Sequence, residues 1–319
     1  MIDTLPQVEI KSLETRKIRL VLSGIFYPFA ILSYFRHALE KRPDVELFTL
    51  GAYTGDSIPW GGGMRIPMKY VKPVDLPLPP TMTRPSWHAV KHNLPWTPDL
   101  VIACDAGFHF SDQPDCPYAV IATDPHVLGN WYEDVRPKAG WFFGMQRYYL
   151  KPGDIFLPYC CSPDHHYAMS NVEKDYDASL IGLHYEQRDR LVNALRSRGR
   201  KVLYDLGLIY DEYRQENNRA TIGLNWSSLM DINARTMEIM AMRQVPVINR
   251  LPHLEELGLV EGKQYLGFDT VEEAVDKVEF ALANPEWAKA VATSAHNIVH
   301  ERHTYELRIQ QIFDEVGLA

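Results

Sequence analysis

IGLNWSSLMDINARTMEIMAMRQVPVIN, residues 222–249, reads as strand, loop, helix, strand. VPVIN (245–249) is apolar on both faces, as a buried parallel strand is, and the periodic run before it predicts a helix over 231–243. Arg235 and Glu238 lie three apart, so they share one face of its first turns. A helix N-terminus aimed at the carboxyl edge of a sheet favours phosphate through free N–H groups and the dipole. Arg235 can add a bidentate contact to a diphosphate, and Glu238 is a natural acceptor for two ribose hydroxyls. The plain alternative is a surface Arg–Glu pair, worth little and commoner on spacing alone.

The same alternation extends outward. DASLIGL (177–183), KVLYDLG (201–207) and RATIGLNWS (219–227) read as further strands, with a helix from Gln187 to Arg198 stopped by Gly199. Thr270 and Glu273 form a capping box, Asn284-Pro285 opens another helix, and Thr304 caps a last one ending near Gly317. In the first half, KIRLVLSGIF (17–26), a helix after Pro28 and DVELFTLG (44–51) make a βαβ unit. DLVIACDAG (99–107), YAVIATDPH (118–126), AGWFFGMQ (139–146) and DIFLPYC (154–160) read as later strands. The expected architecture is α/β, two doubly wound lobes across a cleft: 1–155, 156–290, and C-terminal helices at 291–319 packing back toward the first lobe. Residues 51–98, with GGG at 61–63 and nine prolines, cannot be regular throughout; an acceptor-side flap and a plain surface excursion are equal readings.

Bulk properties narrow the function classes. Charge is −8 over 319 residues; the first 150 hold 15 Lys and Arg against 15 Asp and Glu, leaving 18 against 26. A general nucleic-acid binder shows a basic excess, so charge disfavours nonspecific DNA binding, although Arg65, Lys69 and Lys72 can form a small patch. No apolar run reaches the ~20 residues of a membrane span, residues 1–17 do not read as a signal peptide, and four cysteines make no disulfide framework, so a cytoplasmic home is expected. Cys160, Cys161, His165 and His166 lack the usual ligand spacing. His296, His300 and His303 share a helix face without an H-E-x-x-H pattern, and no metal is expected. The absence of Walker, G-x-G-x-x-G and G-x-S-x-G motifs weakens kinase, dehydrogenase and hydrolase readings.

Ligands of open parallel sheets gather beyond the carboxyl ends of strands. Asp124 and His126 stand there in the first lobe, each able to orient an acceptor hydroxyl or serve as base; an Asp-Pro turn capping the next segment is the plain reading of Asp124. Asp105 and His109 come next, and Gly24 and Tyr27 lie after the first strand on the same expected wall.

From about residue 155 to 315 the chain resembles the GT-B glycosyltransferases of the CgeB-like, spore-maturation-protein type. The resemblance lies in LPYCCSPDHH (157–166), YDASLIGLHYEQRDRLVNAL (176–195), GLNWSSLMDINARTMEIMA (223–241) and HTYELR (303–308), in the family's order. It implies that Glu238 binds the donor ribose, that Ser227, Ser228, Asp231 and Arg235 line the donor pocket, and that the backbone at Gly182 approaches the donor. Arg188 could neutralise the leaving diphosphate, or be a solvated helix-start arginine. Glu255 and Glu256 fall where related enzymes place a donor-contacting loop. One departure stands out: the first acid of the broader superfamily, eight residues before the ribose-binding Glu, is here Met230, with Asp231 one place off and at least equally suited to capping. The expected activity is sugar transfer from a nucleotide-diphosphate sugar, a UDP-sugar favoured, without a further cofactor. The alternatives are a phage-type enzyme acting on a hydroxymethylated base in DNA, and a non-catalytic nucleotide-sugar binder.

Overall fold

The computed structural model describes residues 16–318 apart from 29, 53–56, 60–64, 68–71, 79–83, 105–108 and 228. The first lobe runs β1 (Ile18–Ile25), α1 (Ile31–Glu40), β2 (Val45–Ala52), the antiparallel pair β3 (Ser57–Pro59) and β4 (Arg65–Pro67), then β5 (Leu76–Leu78) and α2 (Trp87–Val90). β6 (Leu100–Cys104), β7 (Tyr118–Ala122), α3 (Pro125–Glu133), β8 (Trp141–Gly144) and β9 (Ile155–Phe156) complete it. Its seven-stranded sheet has the order β5-β2-β1-β6-β7-β8-β9, each pair parallel. LVIAC of β6 and YAVIA of β7 are buried at every position, because helices and loops cover both faces of a parallel sheet.

The second lobe repeats the plan. β10 (Tyr176–Ile181), α4 (Glu186–Ser197), β11 (Val202–Asp205), α5 (Tyr210–Asn218), β12 (Ala220–Asn225), α6 (Ala234–Ala241), β13 (Val245–Asn249) and β14 (Leu266–Phe268) build a parallel sheet ordered β11-β10-β12-β13-β14. The chain leaves β1 to one side and returns to the other at β6, and does the same around β10. Each reversal opens a crevice at the carboxyl edge. The two doubly wound sheets expected from the sequence are therefore present.

Helices α7 (Val271–Ala283) and α8 (Pro285–Arg302) back the second sheet, with Ala288, Val291 and Ala292 in its core. α9 (Tyr305–Val316) crosses over, placing Tyr305, Ile309, Ile312 and Phe313 in the first-lobe core beside Leu32 and Phe35. A buried clasp fixes the crossing. Cys161 N–H donates to His303 O at 2.9 Å, Tyr305 N–H to Cys161 O at 3.2 Å, and Arg308 Nε to Pro158 O at 2.7 Å. His303 stands between Leu257 O at 2.8 Å and the Arg308 guanidinium at 2.6 Å, and burial pushes its pKa down to about 4, so it stays neutral.

Two local expectations change. The helix predicted from 231 begins at Ala234, with Asn233 as its cap and not Asp231. Gln146 of the first lobe takes the Ile232 N–H at 3.0 Å and donates to Ile232 O at 3.2 Å, which holds the chain out of helical geometry there. The strand expected over 154–160 is only Ile155–Phe156, since Pro158 has no N–H to offer a ladder. GGG at 61–63 lies outside the described residues, as does much of the expected flap.

Candidate active site

A cleft of about 500 Å³ lies between the carboxyl edges of the two sheets. At its second-lobe wall the chain leaves β10 at Gly182, with φ +151°. A Cβ there would collide with the Arg235 guanidinium, so only glycine lets that side chain lie across the strand end. Arg235 is fixed by Nε to Ile181 O at 2.7 Å and Nη1 to Asn225 Oδ1 at 3.0 Å. Arg188, on the first turn of α4, is 4% exposed; it donates from Nε to Trp226 O at 2.8 Å and from Nη1 to Leu183 O at 2.8 Å. It is not a solvated arginine.

Among the described residues, both guanidinium groups bond only neutral acceptors in the second lobe, and neither has a carboxylate in salt-bridge range. Burial, reinforced by the Arg235 charge, pushes the Arg188 pKa down to about 10, which leaves it charged at neutral pH. Two adjacent cations with no ion-paired carboxylate are an unfavourable arrangement that a bound anion relieves.

One turn into α6 stands Glu238. Its Oε2 accepts from Tyr213 OH at 2.7 Å, and its Oε1 faces His166 Nε2 at 3.7 Å. Beneath the arginines, Asn233 Nδ2 donates to Asn225 Oδ1 at 3.2 Å and to Ser227 Oγ at 3.0 Å, while Ser227 N–H bonds Asn249 Oδ1 at 2.8 Å. This amide network fixes the strand-to-helix loop from behind.

The first-lobe wall carries Tyr34, Asp124, His126 and Tyr159. Asp124 takes the N-cap place of α3 and its carbonyl accepts the Val127 N–H at 3.0 Å, as in the plain turn reading, but its side chain makes no capping bond. Burial raises its pKa above the usual carboxylate value, and the Asp231 charge adds to the shift. Burial raises Asp231 as well, opposed by His126 and Arg188. Its carboxylate takes the Leu229 N–H at 3.2 Å. The His126 ring stacks on Tyr149, centroids 5.2 Å apart, with Nδ1 buried and unpartnered among the described residues.

Seven residues singled out from the sequence thus share one cleft: Asp124, His126, Gly182, Arg188, Asp231, Arg235 and Glu238. Ser227 does not reach its wall, because the asparagine network consumes it. Gly24 and Tyr27 are also not on the lining. Gly24 packs against Cys104 O, and the Tyr27 carbonyl accepts from Ala30 N–H and Ser33 Oγ. Glu256 instead bridges the lobes by pairing with Arg147 at 3.2 Å. His109 is buried with its pKa pushed down to about 4, chiefly by burial. Asp105 and Ser228 lie outside the described residues. Sequence reasoning missed Tyr34 and Tyr213, which carry no motif, and assigned no site role to Tyr159 or His166 although both lie in LPYCCSPDHH.

The chain has the GT-B glycosyltransferase fold. Residues 167–314 match the family model described as glycosyl transferase-like. An alpha-glucosyltransferase solved with UDP and a 13-mer DNA containing a HMU base is similar at TM-score 0.66 and 10% identity, over 94% of this chain and 100% of that one. HepE of Anabaena, solved with UDP and glucose, gives 0.64 and 12% over 95% and 100%. Sucrose-phosphate synthase of Thermosynechococcus elongatus gives 0.61 and 12% over 95% and 99%. At such identities the likeness to these structures is one of fold. No curated protein matches the chain in sequence. Among the described residues no helix is long and apolar enough to cross a membrane.

Proposed function

We propose that this protein transfers a hexose or pentose from a nucleotide-diphosphate sugar, a UDP-sugar first, to a hydroxyl held against the first lobe, as a CgeB-like enzyme would. The observation that carries the reading is the arginine pair, buried Arg188 and half-buried Arg235, which bond only neutral acceptors, with Arg235 one helical turn from Glu238. Glu238 takes the ribose hydroxyls, and the two guanidinium groups face the diphosphate. The bond from the anomeric carbon to the diphosphate oxygen breaks, the acceptor oxygen bonds that carbon, and its proton passes to Asp124 or His126. Preorganised donors at the departing oxygens supply most of the rate. The two fixed cations serve the role a divalent metal takes elsewhere, so transfer is expected to proceed without one.

The test is binding followed by turnover. UDP present at about 100 times its dissociation constant stabilises the folded protein by about 2.7 kcal/mol, and Glu238→Ala abolishes that shift while the fold persists. Release of free sugar from UDP-glucose separates an enzyme from a binder. Glycan, small-molecule and hydroxymethylated-duplex arms then assign the acceptor class. A protein stabilised by neither UDP nor GDP sinks the proposal.

A further inference from the structure

Beside Glu238 stand two side chains that transfer chemistry does not use, buried His166 and half-buried Tyr213. His166 is 1% exposed, and its Nδ1 accepts the Ser162 N–H at 3.1 Å, so the ring proton sits on Nε2. That Nε2–H has no hydrogen-bond partner among the described residues and faces Glu238 Oε1 at 3.7 Å. The ring cannot turn away. It packs on Tyr34 with centroids 5.0 Å apart and on Tyr213 at 6.0 Å, a near-perpendicular contact. On the other carboxylate oxygen, Tyr213 OH donates to Oε2 at 2.7 Å. Burial lowers the His166 pKa, so the ring offers a dipole and not a cation.

A carboxylate accepts about four hydrogen bonds in all. One is taken by Tyr213, and one is aimed at by His166. The two that remain match a vicinal diol. A cation at His166 would compete with those hydroxyls for the charge; a neutral donor fixes the carboxylate plane and leaves its acceptor strength intact. An orphaned buried N–H is costly, and a small rotation of Glu238 on loading satisfies it.

We propose that His166 and Tyr213 are positioning residues that orient Glu238 to read both hydroxyls of the donor ribose, so that the protein selects ribonucleotides over 2′-deoxyribonucleotides. This rests on the nucleotide-sugar reading above, and it adds to Glu238 the groups that make it selective.

The experiment is calorimetric titration with UDP and 2′-deoxy-UDP, repeated with GDP and its deoxy form. The parent is expected to prefer the ribonucleotide by about tenfold, the size of one hydrogen bond to a charged group. His166→Asn keeps an acceptor for Ser162 N–H but removes the donor toward Glu238, and most of the preference is expected to vanish. His166→Gln, which places an amide N–H near the former Nε2, is expected to restore it. Tyr213→Phe behaves like the Asn variant. Arg235→Met weakens both members of each pair alike and leaves the ratio unchanged. If His166→Asn loses affinity for both nucleotides in parallel and keeps the parent ratio, the ring only packs and the inference is overturned. A parent that binds no nucleoside diphosphate overturns the nucleotide reading itself, and this inference with it.

Discussion

Gly24 and Gly182 occupy the same place in the two lobes, the carboxyl end of the strand at which each sheet reverses, and both have φ near +150° (156° and 151°). What faces them differs. A Cβ at Gly24 would lie 2.5 Å from Cys104 O, the backbone of the neighbouring strand. A Cβ at Gly182 would strike the tip of the Arg235 side chain. In the first lobe the bare backbone lets the chain pack against itself; in the second it makes room for a cation. One topological rule therefore yields a packing point in one lobe and a binding point in the other. The difference comes from what the adjacent helix contributes.

The largest effect is expected from removing that contribution. Arg235→Met should lower kcat/KM for donor cleavage by about 100- to 1000-fold, the usual cost of one preorganised donor at a developing charge. Circular dichroism and melting confirm that the variant is folded. Normal turnover would mean that Arg235 only fills the space over Gly182.

Next comes Gly182→Ala. The displaced guanidinium should weaken UDP by about tenfold or more, one lost charge-assisted contact. The positive φ is strained for alanine at either glycine, so each substitution should cost about 1–3 kcal/mol of stability, read as a lower Tm. At Gly24 the obstacle is backbone and no cation is displaced, so kcat/KM per folded molecule and UDP affinity should stay at the parent values. If Gly24→Ala weakened UDP as much as Gly182→Ala, the contrast between the lobes would be void.

The sequence showed the second lobe better than the first for the same reason. Arg235 and Glu238 lie three apart on one short helix, so a local pattern exposed them, and the apolar runs of β10, β12 and β13 marked the sheet that orients that helix. Tyr34, Tyr213 and His166 meet Glu238 from three separate elements, and no spacing within one segment encodes that meeting. The start of α6 was misplaced by three residues because Gln146, far away in sequence, holds Ile232 by both backbone groups. Gly24 and Gly182 look alike as letters; only the third dimension shows which one has a cation above it.

The smallest effect concerns charge at the facing edge. The first-lobe wall offers an acid, Asp124, where the second offers Arg188, and burial is the leading cause of the shift in each. A carboxyl whose folded pKa is raised contributes stability that is fully present below its unfolded value and is lost as pH rises through the folded value. Asparagine imitates the protonated form at every pH. Asp124→Asn should therefore raise Tm by a few degrees at pH 7 and leave it unchanged near pH 3, while sugar transfer at pH 7 falls. A stability gain that persists undiminished at pH 3 would assign the effect to packing instead. Loss of stability at pH 7 would show that the ionised carboxylate is held by partners in the folded protein, and the first-lobe edge would then be as well compensated as its packed glycine suggests.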